Sequence, residues 1–259
     1  AIIASMSITE ERKKVIDFSK KYYQTPAKFA AADDTDWADT NDGLKGKLAT
    51  LFDLAEKHDL HLDIHVDEGL DEQARGLDAI ISETAQRGMA GRVLCGHACA
   101  LSVREPDDLA RTLDAMADAG VGLVVLPGAN SYLQDGAPGR TPRLRGLAPL
   151  QEASAAGVSV MLGSDNVQDC FFPYGDYDLI DVLRNGILMG HLVPERWLDA
   201  ISARPAGWMG HDLAIEKGGP ASFIHFDEAA LNDVVSRPGL QRHVWRNGTI
   251  LPKPHGGNP

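Results

Sequence analysis

The chain has 259 residues, 44% hydrophobic and 24% charged, enough for one large soluble domain or two small ones with a sizeable core. A formal net charge of -12 excludes a polyphosphate-binding surface of the kind that engages nucleic acid. No run is long and apolar enough to cross a membrane. The first residues, Ala1-Ile2-Ile3-Ala4-Ser5-Met6, lack the basic segment and long apolar stretch of a signal peptide and read as the inside of a domain. Cys95, Cys99 and Cys170 form no CxxC pair, which predicts free core thiols in a reducing compartment, hence a cytoplasmic protein.

Residues 1–31 read as strand, helix, strand. Ser7-Ile8-Thr9-Glu10 fits a capping box, and Val15, Ile16 and Phe18 give the helix an apolar side. The segment AIIASMSITEERKKVIDFSKKYYQTPAKFA resembles part of the periplasmic amino-acid-binding proteins of ABC transporters. That resemblance implies a fragment of one lobe of a solute-binding module for polar amino acids, and the rest of such a protein does not follow. Residues 32–42 are acidic and poor in core residues, and so form a junction, with Asn41 or Asp42 able to cap the next helix. In that helix Leu44, Leu48, Leu51, Phe52 and Ala55 make an amphipathic stripe.

Strand and helix then alternate. Strands are expected at 60–65, 92–96, 121–126 and 158–163, and helices around 70–87, 106–119, 146–156 and 177–190. Gly88, Gly91, Gly120 and Gly157 stand where helices should stop. Alternation at this spacing predicts right-handed parallel βαβ units. Four units are visible where a closed barrel needs eight. The fold class is therefore α/β, an incomplete (β/α) barrel over 43–210. A small β appendage over 211–251 follows, with strands at 221–226 and 243–250 and an Asn247-Gly248 turn, and then a disordered tail at 252–259.

Polar residues gather at the predicted carboxyl ends of the strands, where (β/α) barrels keep their sites. His65-Val66-Asp67-Glu68 follows the first strand, Cys95-Gly96-His97-Ala98-Cys99 ends the second, and Gly163-Ser164-Asp165-Asn166 ends the last. On a strand His61, Asp63 and His65 share a face, but His61 and His65 would lie about 13 Å apart, too far to chelate one ion. His65, at the strand's end, is the better candidate. Imidazoles with a carboxylate suit zinc, iron or manganese. Such a metal would acidify a bound water, whose proton a free Glu could shuttle.

These residues carry a second resemblance. HVDEGLDEQ, GHACALS, LPGANSYLQD, RTPRLRG and GSDNVQDCFFPYGDYDLIDVL, with a closing VWRNGTI, resemble in order and spacing the cytosine deaminase-like branch of the amidohydrolase superfamily, over roughly residues 43–251. The resemblance implies a distorted (β/α) barrel that uses one divalent metal, zinc or iron, to remove an amino group hydrolytically from a small heterocycle. It implies His65 as a metal ligand, Glu68 as the proton-shuttling acid, and His97 as the group holding the attacking water or the developing tetrahedral centre. It further implies that Asp165 both touches the metal and takes a proton, and that Phe171 packs on the substrate. Asn166 stands where bacterial cytosine deaminases have an aspartate reading the ring; Asn cannot supply its charge, which leaves cytosine, aminotriazines and other amino-heterocycles open.

The family's first strand carries an H-x-H pair of ligands, and this sequence contains no H-x-H. The expectation is a half barrel whose metal is weakly held and whose open edges a second copy would pair with to complete the barrel. The alternatives are an inactive half-barrel chimera and the solute-binding module. The expected partner is a small heterocyclic substrate, with no nucleic acid and no membrane.

Overall fold

The computed structural model describes residues 41–213, 215–227 and 229–252. The elements expected within 1–31, most of the 32–42 junction and the tail after 252 lie outside the described residues. The chain divides into two compact units, 1–48 and 49–259; of the first only 41–48 are described, as the opening of helix α1, Asn41–Lys57. The account below concerns the second unit, where α1 buries Phe52 and Ala55 as its stripe predicts.

Four parallel strands follow in chain order: β1 Leu62–Val66, β2 Val93–His97, β3 Gly122–Val125 and β4 Val160–Leu162. Each pairs only with its sequence neighbours, giving the sheet order β1-β2-β3-β4. Between β1 and β2 runs α2, Gly76–Arg87, and between β2 and β3 runs α3, Pro106–Asp118. Sequential order with right-handed crossovers puts all the connecting helices on one face. The register shows which residues face them: Leu62 lies beside Val93, Cys95 beside Leu123, and Val125 beside Leu162. All six are buried. The other face carries Asp63, His65, Leu94, Gly96, Gly122 and Val124. It is closed at one end by Trp208, whose indole donates to Ser159 Oγ at 3.1 Å. A Cβ on Gly122 would come within 2.6 Å of that ring, so glycine is what lets the indole lie on the strand.

The expected helix at 70–87 starts late, at Gly76, because its cap comes from far away. The Asp67 carboxylate accepts from Gly76 N at 3.1 Å and Leu77 N at 2.9 Å, satisfying two of the first turn's free donors. Asp67 is thus the N-terminal anchor of α2. The buried Arg104 guanidinium closes the same corner. It grips Asp78 at 2.6 and 3.2 Å, Thr112 Oγ1 at 2.8 Å and the Ala74 carbonyl at 2.8 Å, joining α2, α3 and the loop before α2.

Other differences are local. A short helix α4, Pro127–Leu133, follows β3 directly, with Pro127 preorganising its first turn. The helix expected at 146–156 shrinks to α5, Leu150–Ala155, after Pro149. Helix α6, Leu179–Gly190, begins two residues later than expected, where the Asp178 carboxylate accepts from Ile180 N at 3.0 Å. Beyond it lie α7 Pro194–Trp197 and α8 Ala203–Trp208, which carry no long apolar period. The appendage is a three-stranded antiparallel sheet, β5 Phe223–Phe226, β6 Arg242–Arg246 and β7 Thr249–Ile250, with a helix, α9 Leu231–Ser236, inserted in it. Asn247 and Gly248 both have positive φ, 48° and 76°, as the tight turn between β6 and β7 requires. Phe223 and Trp245 stack across β5 and β6 at 5.9 Å. Cys95 and Cys99 are core thiols as expected, but Cys170 is exposed, because it sits in a polar loop after β4. Leu60, inside the strand expected at 60–65, is also exposed, since β1 begins only at Leu62.

Replacing Arg104 with Met leaves Asp78 and the Ala74 carbonyl without their donor. The expected loss is on the order of 3 kcal/mol of unfolding free energy, measured by urea denaturation, with α2 and α3 losing amide protection first.

Candidate active site

The site lies where β1, β2 and β4 end. His65 is the penultimate residue of β1 and projects from the face away from the helices. His97 ends β2 opposite Val66, so simple alternation would send its ring into the helix-covered core with Cys95. It does not go there. His97 has φ 71° and Ala98 φ 48°, two left-handed non-glycine residues in succession, a conformation that costs roughly 1–3 kcal/mol per residue. The chain is held in it by Ala98 N donating to Val66 O at 3.0 Å and Ala100 N donating to Asp67 O at 3.0 Å. The turn swings the His97 ring across to His65. The rings meet edge to face with centroids 4.7 Å apart, His97 Nε2 lying 3.3 Å from His65 Nδ1.

Glu68 brings a carboxylate to the other side of His97, with Oε1 3.6 Å from Nδ1. The same Nδ1 lies 2.9 Å from the side-chain amide of Asn130 on α4. His97 and Asn130 are both buried, whereas Glu68 is half-exposed at the mouth. Asp165 follows β4 in a left-handed conformation, φ 60°, and its Oδ2 is buried without a hydrogen-bond partner. Its charge interacts with His97, His65 and Glu68, which places it in the same cluster.

Burial dominates the electrostatics. It pushes the Asp165 carboxyl above the ordinary carboxylate range, against the pull of the two imidazoles. It lowers the His97 imidazole below the usual histidine value, although Glu68 and Asp165 act the other way. The neighbouring Cys99 thiol is pushed up to about 12, again mainly by burial, so it stays neutral and takes no part as thiolate.

The two residues expected to meet substrate are placed differently. Asn166 is tied within its own loop, its amide donating to Asp169 Oδ2 at 2.5 Å. The other Asp169 oxygen accepts from Phe171 N and Phe172 N at 2.9 Å. The Phe171 ring is largely exposed. Its neighbour Phe172 turns inward onto Tyr132 and Tyr174, at 5.3 and 5.8 Å between centroids. Beside this cluster opens a cavity of about 230 Å³ that Ser164, Asp178 and Asn185 also line. Asn130 and Tyr132 lie in the LPGANSYLQD stretch, which the sequence marks as a unit without giving any of its residues a role.

The amidohydrolase family's sequence pattern matches residues 10–252. The chain belongs to the amidohydrolase family. A pterin deaminase from Rhizobium rhizogenes is 37% identical over 217 residues, which are 82% of this chain and 49% of that protein. In the fold, this amidohydrolase chain is similar to the crystal structure of 5-methylcytosine deaminase from Klebsiella pneumoniae, with a TM-score of 0.74 and 23% identity over 85% of this chain and 55% of the other. At that identity the likeness is one of fold. The chain spans about half the length of these relatives. A stretch of 52 residues is 49% identical to an L-arginine-binding protein from Pseudomonas aeruginosa, covering 20% of each chain. No helix among the described residues is long and apolar enough to cross a membrane.

Family membership raises the question of a divalent metal, and the donors answer in part. The orphaned Asp165 Oδ2 and the His65 ring are an oxygen and a nitrogen suited to zinc or iron. Among the described residues, however, no three His, Cys, Asp or Glu side chains converge on one point. His65 and Asp165 fit as two members of a larger ligand set.

The raised Asp165 carboxyl fixes the sign of a pH effect. The folded state holds this proton more tightly than the unfolded chain, so stability falls as pH rises from the unfolded value near ~3.9 through the folded one. In chelator-treated protein, Asp165→Asn should remove that fall and raise the thermal midpoint at neutral pH. Asn also tolerates the left-handed backbone.

Proposed function

We propose that the chain is the second half of a metal-dependent (β/α)-barrel aminohydrolase that removes an amino group from a small nitrogen heterocycle of the cytosine, aminotriazine or pterin type. Residues 43–210 are the half barrel and 211–251 its β appendage. Support for this division comes from four sequential parallel strands followed by a separate three-stranded antiparallel sheet. The observation that carries the function is the cluster itself. A buried carboxylate oxygen without a partner stands beside two touching imidazoles and a half-exposed glutamate, at the carboxyl ends of parallel strands.

Hydrolytic deamination replaces a ring C–NH₂ by C=O, with water supplying the oxygen and ammonia leaving. His65 and Asp165 would hold a divalent metal, which when bound lowers the pKa of its water to about 7. Glu68, near the mouth, is suited to take the water's proton and return it to the departing nitrogen. His97 stands at the centre of the cluster, where burial keeps it neutral, and would hold the attacking oxygen through Nε2, the nitrogen that meets His65 here. Asp165, with its raised affinity for a proton, is a second acceptor for that water. Phe171, exposed on the loop, and Asn166 would border the ring once the loop meets substrate. The cavity beside Phe172 and Tyr174 offers a largely apolar wall next to Ser164.

One observation favours a second reading, that the chain keeps the family's ancestry without activity of its own: its described residues present no convergent set of three metal donors. A second copy seated along the edges of β1 and β4 would be one source of the missing donors.

The test is ammonia release from cytosine, aminotriazines and pterin by purified chain supplied with zinc or iron, together with metal analysis. The expected result is bound metal and ammonia, with Glu68→Gln lowering kcat by about 10²–10⁴-fold. No ammonia above the metal-only background, or full activity in Glu68→Gln, would overturn the proposal and leave the second reading.

A further inference from the structure

The His65–His97 contact does not end at His97. On its far side stands Asn130, wholly buried on α4, with its backbone N donating to Leu126 O at 3.0 Å. Its amide lies 2.9 Å from His97 Nδ1, and His97 Nε2 lies 3.3 Å from His65 Nδ1. Three side chains therefore form one line, and each contact in it needs one proton and one lone pair. If the amide donates to His97 Nδ1, His97 must carry its proton on Nε2, His65 must accept on Nδ1, and His65 presents an N–H at Nε2. If the amide carbonyl accepts instead, every proton in the line is reversed.

As placed, the amide nitrogen faces His97 and the Asn130 carbonyl oxygen is buried with no partner. An amide's O and N ends are told apart by their surroundings, and either orientation here leaves one polar atom unpaired. Glu68 breaks the tie. Its carboxylate lies 3.6 Å from His97 Nδ1, where a negative charge favours an N–H and repels a lone pair.

We infer that Asn130 is a positioning residue: its carbonyl accepts from His97 Nδ1, so that His97 and His65 both carry their protons on Nδ1 and the lone pair of His65 Nε2 is left free. A histidine that binds metal through one nitrogen ordinarily donates from the other, and here His97 Nε2 is the acceptor for His65. This last point rests on the proposed role of His65; the tautomers do not.

The tautomers are read directly by two-bond ¹H–¹⁵N correlation of the imidazole rings in metal-free protein, at a pH where both rings are neutral. Wild type should show Nδ1–H at both His65 and His97. Asn130→Asp, which can only accept, should keep that pattern, and Asn130→Leu should weaken it, with Nε2–H rising at His97, because Glu68 at 3.6 Å is too far to accept a hydrogen bond in place of the amide. Nε2–H at His97 in the wild type overturns the inference, whether or not either variant folds. So does an unchanged pattern in a folded Asn130→Leu. Because the readout uses no substrate and no metal, a chain that releases no ammonia could still show it. An active chain lacking it would refute Asn130 alone.

Discussion

The left-handed turn at His97 and Ala98 is the constraint on which the site depends. A parallel sheet separates its side chains cleanly into two faces, and that separation would leave His65 and His97 on opposite sides of the sheet. Two successive residues with positive φ bring them together. Such a backbone is kept only where its surroundings over-determine it, and here one hydrogen bond to the last residue of β1 and one to the loop after it do so. The loop that carries Glu68 is thus the same one that holds His97 in place. Asp67 completes the coupling: its carbonyl accepts from Ala100 and its carboxylate caps α2. The residues between His65 and Glu68 are structural links between the first strand, the second strand and the first crossover helix.

The site shows the opposite priority from the core. The helix-side face is filled by Val93, Cys95, Leu123, Val125 and Val160, each fully buried. The other face leaves a carboxylate oxygen without a partner and sets one imidazole edge-on against another, neither of which a core arranged for stability alone would retain. Two of the buried polar atoms left without a partner among the described residues, Asp165 Oδ2 and Asn130 Oδ1, stand with the imidazoles at this end, which makes it the candidate site.

Much of the fold was legible because its signals are local. Alternation at 60–65 and apolar runs following glycine stops at the other three located the four strands to within about two residues: the run expected at 121–126 is Gly122–Val125. What was not legible depends on contacts distant in sequence. Helix α2 starts at Gly76 because a carboxylate nine residues earlier caps it, and no local pattern reports that. Helix α4 was hidden because Pro127-Gly128-Ala129-Asn130 reads as a turn. In the site, residue types and spacing marked His65, Glu68, His97 and Asp165, which the structure gathers. They could not mark the direction of the His97 ring, since nothing local announces a positive φ at histidine. Asn130 escaped for the same reason: its meaning lies in a ring that reaches it only after that turn.

Two ionisable groups of the cluster, Asp165 and His97, are perturbed in complementary directions. Burial raises the carboxyl and lowers the imidazole, so each is driven toward its neutral form. Either charge would steady the other if both were present, and neither is favoured alone. A cluster in that condition is poised to accept one external cation or one proton, and the first charge to arrive changes the cost of the next. The exposed His65 and the half-exposed Glu68 are the members open to solvent, so exchange of protons with solvent belongs to that outer end. Asn130, neutral at any pH and sealed from solvent, cannot take part in that exchange. What a neutral, fixed dipole can do at the inner end of such a cluster is hold the orientation of the rings while the charges at the outer end change.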